Sequence, residues 1–394
     1  MRILVAAASF SSKLSGIQRH AFNAVRCLLS HPAISEVQLV VAPWQQELVD
    51  SAGLRPGPRL TVHVAKMSSG SLSRNRWYYR QLPVLARTLA ADLVHLTYPV
   101  PVDSGAFSCP VLLTLHDLYP YEIPSNFTLP KVLFNRLILQ QCLRGVTSIA
   151  CVSDTTRLRL EKYVPRQVQQ KALRIYNCVE PEPRAALEGR FSVWQGMPFL
   201  LCVAQHRRNK NIAFLLRVFE RMICRRQVDA SIRLLIVGIE GPETPLIRRT
   251  IARSGLAHNV LLMEGLSEPE LQWCYRNCEA VLAPSTIEGF GLPVVEALLA
   301  GAPVVCSDIA AFRELGGDHC RYVPLDGQAE ASFAEAILAA LREERREPLA
   351  MPLLSAPVIA GEYVRLYSRL LDLAATARNS AASVAHTKLE GQSL

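Results

Sequence analysis

Short, continuously apolar runs recur along the first half of the chain, at Ile3 to Ala8, Val37 to Ala42, Leu60 to Val64, Leu93 to Leu96, Val111 to Leu115, Ser148 to Val152 and Leu173 to Ile175. Each has the length of a strand, whereas the stretches between them, such as Ile17 to Ser30 and Lys131 to Arg144, carry helical spacing. The runs are apolar throughout rather than alternating, which predicts strands buried on both faces, in parallel sheets covered by helices. Residues 180–197 interrupt the rhythm with Pro181, Pro183, Gly189 and Gly196, and an interdomain linker is expected there. A second series then begins: Phe199 to Val203, Arg233 to Val237, Val260 to Met263, Ala280 to Ala283 and Pro303 to Cys306, with a helix over Ile212 to Met222. The pattern predicts an α/β protein of two Rossmann-like, doubly wound parallel-sheet domains, residues 1–185 and 186–358. A helix over 359–377, carrying Tyr363 and Tyr367, is expected to cross back toward the N-terminal domain. The Ser-, Ala-, Thr- and Gly-rich residues 378–394 read as a disordered tail.

A chain of 394 residues, half of them apolar, is long enough for two such cores. The apolar opening is short and runs into Ser11-Ser12-Lys13, so it reads as a first strand rather than a signal peptide. Nothing approaches the roughly 18 to 20 apolar residues of a membrane span. Eleven cysteines are scattered without CxxC pairs, and Cys274 and Cys278 lack a second ligand pair at zinc-site spacing. Reduced thiols in a cytosolic enzyme are the expected reading. Charge is uneven: residues 1–185 hold 21 Lys and Arg against 11 Asp and Glu, and the rest hold 22 against 23. The densest basic stretch, Arg74-Asn75-Arg76-Trp77-Tyr78-Tyr79-Arg80, suits anionic lipid headgroups and equally an ordinary amphipathic helix leading into the next strand. The arginines form no helical stripe and no nucleic-acid-reading module is present, so no nucleic-acid partner is expected.

Residues 284–304, Pro-Ser-Thr-Ile-Glu-Gly-Phe-Gly-Leu-Pro-Val-Val-Glu-Ala-Leu-Leu-Ala-Gly-Ala-Pro-Val, carry the most chemistry. Pro293 fits the first turn of a helix starting near Leu292. Gly289 and Gly291 let the preceding backbone approach an anion, and the helix N-terminus adds about half a positive charge. This is a phosphate site with a carboxylate on either side: Glu288 in the loop, and Glu296 about one turn into the helix, suited to a ribose diol. A nucleotide-sugar needs both. A pair of glutamates at this spacing alone is more often a solvated helix face.

Glu288 and Glu296, with Glu288-Gly289-Phe290-Gly291-Leu292-Pro293 between them, resemble the E-x7-E element of the retaining glycosyltransferases of family 4, of the bacterial mannosyl- and glucosyltransferase type. The resemblance covers about residues 1–370 and implies the GT-B fold, a nucleoside diphosphate sugar as donor, and a UDP- or GDP-sugar in particular. Phe290, Gly291, Leu292 and Glu296 would bind donor. Val203 to Asn211 resembles the basic donor loop of that family, with Ala204 where glycine is usual; Arg208 and Lys210 are expected to hold the diphosphate, with Arg207 the competing arginine. His116, in a strand-end His-Asp-Leu, resembles the histidine that faces the transferred sugar, and Ser15-Gly16 resembles the family's glycine-rich acceptor loop, with one glycine where two are common and Gly16 expected to bind donor.

The mechanism so implied is front-face transfer with retention, catalysed by His116, Lys210, Arg208 and Glu288 through orientation and charge stabilisation. No Asp-x-Asp occurs in the chain, so metal-independent chemistry with no cofactor is expected. The acceptor would be a glycan or lipid-linked sugar in surface or exopolysaccharide biosynthesis, and the enzyme cytoplasmic, at the inner face of the plasma membrane if the basic segment meets lipid. A nicotinamide oxidoreductase is disfavoured because no Gly-x-Gly-x-x-Gly follows a strand. A GT-B epimerase or phosphorylase, or a catalytically silent sugar-nucleotide-binding subunit, are the alternatives.

Overall fold

The computed structural model describes residues 1–180 and 196–390, with side chains described to residue 379. Seven parallel strands build the first sheet: β1 (Arg2–Ala6), β2 (Glu36–Val41), β3 (Leu60–Val64), β4 (Leu93–Leu96), β5 (Val111–Leu115), β6 (Ser148–Cys151) and β7 (Ala172–Arg174), in the order β3-β2-β1-β4-β5-β6-β7. Six parallel strands build the second: β8 (Phe199–Val203), β9 (Arg233–Val237), β10 (Val260–Met263), β11 (Ala280–Ala283), β12 (Val304–Ser307) and β13 (Arg321–Val323), in the order β10-β9-β8-β11-β12-β13. Both orders reverse beside the first strand of the series, β1 or β8, and at such switch points the strand ends leave a crevice.

The uniform apolarity of the strands has its expected cause. Leu4, Val40 and Leu113 pack on one face of the first sheet, and Ile3, Leu39 and Leu112 on the other. Each residue fully buried in this way stabilises the fold by roughly 1.5–3 kcal/mol. The short edge strand β13 is the one strand the apolar pattern misses, because Arg321 and Tyr322 are half-exposed and Val323 alone is buried, which leaves no run to detect.

The last helix, Ala356–Glu390, lays Ile359, Ala360, Tyr363, Leu366, Tyr367 and Leu370 against the first sheet beside the helix Gly16–Ser30. Tyr367 donates its hydroxyl to His95 Nδ1 at 2.8 Å, and His95 Nε2 meets Thr114 Oγ1 at 2.8 Å, which ties this helix to β4 and β5. The helix runs through residues 378–390, where the composition predicts a tail; alanines at 374, 375, 377, 381, 382 and 385 supply the helix propensity that the serines lack. The linker expected over 180–197 falls mainly on residues 181–195, outside the described ones. Among the described residues no helix is long and apolar enough to cross a membrane.

Candidate active site in the interdomain cleft

The loop after β11 and the helix Leu292–Leu299 form the floor of the site. Gly291, at φ 102°, turns the chain into that helix, and only glycine occupies such a conformation without strain. A Cβ there would also stand 2.8 Å from the Phe312 ring. The loop after β8 folds onto the same place: Thr286 N donates to Asn209 O at 2.8 Å, and Asn209 Nδ2 to Ile287 O at 3.3 Å. Asn211, at φ 54°, ends the 208–210 turn and swings Lys210 inward. Lys210 Nζ then meets Glu288 Oε1 at 2.5 Å. The small cavity between Lys210, Ser285, Glu288, Pro293 and Phe312 has a volume of only about 10 Å³, so the ion pair itself fills the cradle.

The N-terminal domain closes over this floor. Tyr119 donates its hydroxyl to Glu288 Oε2 at 3.2 Å, and Arg159 donates to the Glu288 carbonyl at 2.6 Å. The Gly289 carbonyl accepts from Ser153 Oγ at 2.5 Å and Thr156 Oγ1 at 3.0 Å. His116 lies directly above, so close that a Cβ on Gly289 would fall 1.7 Å from the His116 carbonyl oxygen. His116 Nε2–H donates to Thr97 O at 2.8 Å; burial holds its pKa down to about 4, so the ring is neutral near pH 7 with Nδ1 as its lone-pair nitrogen. The His20 ring packs edge-on against it at 4.6 Å.

Glu296 lies on the helix, buried, with Tyr275 donating to Oε2 at 2.7 Å and Arg19 of the other domain meeting Oε1 at 3.0 Å. Burial raises its pKa, and Arg19 opposes that rise.

The structure therefore brings His116, Glu288, Lys210 and Gly291 together around one cradle, with Glu296 further along the same helix. It separates the two arginines. Burial raises the pKa values of Asp117 and Tyr119, and half-buried Arg207 lies near enough for its charge to oppose that rise, whereas Arg208 is exposed and lines a cavity of about 380 Å³ with Glu122 and Thr286. Phe290 does not face the cradle: its ring joins Val152, Val179 and Val295 in an apolar cluster between the domains, and Leu292 packs against the same cluster. Gly16 starts the helix Gly16–Ser30 with no atom within 4 Å of where a Cβ would be, so its surface toward the cleft is open. Trp77 and Tyr78 are buried, and Tyr78 donates to Ala8 O at 2.9 Å. The aromatic half of the 74–80 segment is thus core, and only Arg76, Tyr79 and Arg80 remain exposed to meet a lipid surface.

Residues the sequence left unmarked also line the site. Asp117 is half-buried, and burial pushes its carboxyl up to about 6 despite Arg207 and Arg159. Tyr119, Arg159, Arg19 and Tyr275 hold the two glutamates. The nearest signal was position: Asp117 and Tyr119 follow His116 at a strand end, and Arg19 is one helical turn from Gly16.

Two doubly wound domains whose strand ends oppose each other across such a cradle define the GT-B class of fold. The chain matches the family described as Glycosyltransferase Family 4 over residues 14–183 and Glycosyl transferases group 1 over residues 197–343, and it belongs to the family 4 glycosyltransferases. It is similar to O-antigen chain mannosyltransferase B of Escherichia coli, 26% identical over 212 residues that cover 52% of this chain and 55% of that protein. It is also similar to O-antigen chain mannosyltransferase RfbU of Salmonella typhimurium, 26% identical over 225 residues, 57% of this chain and 59% of that protein. The matches thus span little more than half the length of these relatives. Among solved structures, HepE of Anabaena in complex with UDP-glucose shares the fold with a TM-score of 0.63, at 16% identity and covering 96% of this chain and 100% of that one.

Proposed function

We propose that the chain is a retaining glycosyltransferase that moves a hexosyl group from a UDP- or GDP-sugar to a glycan or lipid-linked acceptor in surface polysaccharide assembly. The observation that carries this reading is the cradle in which Lys210, Glu288 and the Gly291-capped helix face His116 across the cleft. In that reading the diphosphate lies over the helix N-terminus, and Lys210 with Arg207 stabilises the charge that develops as the anomeric C–O bond breaks. The geometry favours Arg207 over Arg208 for this task. Glu296 accepts from the ribose hydroxyls. Neutral His116 orients the transferred sugar through Nδ1, with Asp117 and Tyr119 beside it. The acceptor oxygen bonds to the anomeric carbon from the face the leaving group vacates, and its proton passes to the departing phosphate oxygen. Cations of the protein do the work that a metal does elsewhere, so the reaction is expected to proceed without one.

A cytoplasmic enzyme at the inner face of the membrane fits this substrate class. Peripheral contact with anionic lipid is better supported on the helix Leu129–Gly145 than on residues 74–80. It exposes Leu129, Leu133 and Leu137, one helical stripe, at 80%, 62% and 68%, with Lys131 and Arg144 exposed nearby.

The test is thermal stabilisation of the purified protein by UDP, GDP, ADP and dTDP, with and without magnesium, repeated with Glu296→Ala. Selective stabilisation by one nucleotide, undiminished without magnesium and lost in the variant, is the expected result. No shift with any nucleotide at millimolar concentration overturns the reading. Donor binding without transfer to any glycan acceptor would instead assign a silent subunit, and donor epimerisation or phosphate-dependent cleavage an epimerase or phosphorylase.

A further inference from the structure

We infer that Arg19 is a positioning residue for the nucleotide site: reaching across the cleft, it orients Glu296 and keeps it ionised, so that the ribose-binding carboxylate is complete only when the two domains are closed. This rests on the proposed nucleotide-sugar reading of the cradle.

Arg19 lies on the first turn of the helix Gly16–Ser30 of one domain, yet the partners of its guanidinium are two carboxylates of the other, Glu296 Oε1 at 3.0 Å and Glu268 Oε1 in a short contact. Its side chain is 18% exposed and that of Glu296 only 6%, so the pair is removed from water. An isolated carboxylate in that position would take up a proton, because a buried charge needs a partner. Among the described residues, the groups facing Glu296 are Arg19 from the first domain, and Tyr275 and Glu268 from the helix Glu268–Asn277; Arg19 is the one cation of these, and Glu268 favours protonation of its neighbour. A second cross-domain pair, Lys13 Nζ to Glu264 Oε2 at 2.9 Å, anchors the same N-terminal loop to the same side of the C-terminal domain.

Carboxylate valence leaves room for a ligand. An ionised carboxylate accepts about four hydrogen bonds, and Tyr275 and Arg19 use one each. The remaining lone pairs are those a ribose diol would take. Arg19 thus orients Glu296 without saturating its acceptor capacity, and domain closure and nucleotide binding reinforce each other through one side chain.

The experiment measures nucleotide affinity by titration calorimetry between pH 6.0 and 8.5, for wild type, Arg19→Ala, Arg19→Lys and Glu296→Gln. The probes are the stabilising nucleoside diphosphate and its 2′,3′-dideoxy analogue. Arg19→Ala should weaken the natural nucleotide about tenfold or more at pH 6.5, the scale of a lost bond to a charged group. The loss should be greatest at the acid end of the range, because Arg19 opposes the protonation that burial favours at Glu296. Arg19→Lys should recover most of the pH profile, the dideoxy analogue should be insensitive to Arg19→Ala, and Arg19→Ala in a Glu296→Gln background should add little. An Arg19→Ala affinity equal to wild type across the pH range overturns the inference. So does an equal loss for both probes at every pH, which would mark a purely structural role. If wild type binds no nucleotide, the underlying reading of the site fails instead, and the two failures are distinguishable.

Discussion

Replacing Gly289 with alanine tests whether the closed arrangement of the two domains is the working one. The new Cβ would stand 1.7 Å from the His116 carbonyl oxygen, 2.9 Å from its carbon and 3.2 Å from Thr156 Oγ1. Ordinary carbon–oxygen contact is about 3.3 Å, so the loop must retreat by roughly 1.5 Å, and both colliding atoms nearest it are backbone with nowhere to turn. A retreat of that size breaks the bonds across the seam: Ser153 and Thr156 to the Gly289 carbonyl at 2.5 and 3.0 Å, and Arg159 to the Glu288 carbonyl at 2.6 Å. Two neutral hydrogen bonds at about 1 kcal/mol each and one charge-assisted bond at about 1.5–3 kcal/mol place the loss of closure free energy near 4 kcal/mol. That is roughly a thousandfold shift toward the open form, at about 1.4 kcal/mol per decade. Small-angle scattering should report a larger radius of gyration, and kcat/KM for glycosyl transfer should fall about 100- to 1,000-fold. The melting temperature should move little, because neither sheet core contains the residue. Wild-type turnover together with wild-type dimensions would refute the reasoning.

Four further outcomes follow from the same geometry. Lys210→Ala should reduce kcat about 100-fold or more in steady-state transfer assays, with a smaller change in donor KM, since its charge is needed most as the diphosphate departs. Glu288→Gln removes the partner that holds Lys210 at 2.5 Å; calorimetry should show nucleoside diphosphate binding several-fold tighter while transfer slows, so a weaker affinity would count against that competition. Burial raises the Asp117 pKa from 3.8 to about 6, so folding disfavours its ionised form: the penalty is fully present above about pH 6 and gone below about 3.8. Asp117→Asn, which can still accept from the Tyr119 N–H, should therefore stabilise the protein by about 1–2 kcal/mol in denaturant unfolding at pH 7.5 and not at all near pH 3.5, a figure below the full linkage value because the group is only half-buried. Leu133→Glu with Leu137→Glu should abolish sedimentation with phosphatidylglycerol vesicles and leave nucleotide binding unchanged; retained sedimentation would remove the helix Leu129–Gly145 as the lipid contact.

What the sequence disclosed and what it withheld divide along a physical line. Glu288, Gly291 and Glu296 could be read because their roles depend on one loop and the helix that follows, within nine residues. The same holds for Lys210, set by the turn that ends at Asn211. Tyr119 and Arg159 acquire meaning only from a residue 169 or 129 positions away in the other domain, and no local pattern encodes which face will meet which. Arg207 and Arg208 are adjacent and chemically identical, and only the fold leaves the first half-buried, near enough to Asp117 for its charge to be felt, and the second exposed. Phe290 shows the opposite limit. A large apolar residue inside a ligand loop invites assignment to the ligand, but here the interdomain cluster with Val152 and Val179 takes the ring and only the backbone remains for the site.

That division also explains how one seam can serve two purposes. The Gly289 carbonyl, the Glu288 carbonyl and the Glu314 carboxylate all face donors of the N-terminal domain, with Glu314 accepting from Asp154 N at 2.6 Å and Thr155 N at 2.8 Å at the start of the helix Asp154–Leu160. These polar contacts surround the apolar cluster of Phe290, Val152, Val179 and Val295, so the seam combines directional bonds with a small apolar contact. The two glutamates of the cradle are treated differently. Glu288 has its cation within its own domain, so Lys210 remains in place whether the cleft is open or shut; Glu296 borrows Arg19 from across it and loses that partner on opening. Opening should therefore loosen the grip on ribose before the grip on diphosphate, which is the order in which a product nucleotide can be released while the phosphate cradle remains assembled for the next donor.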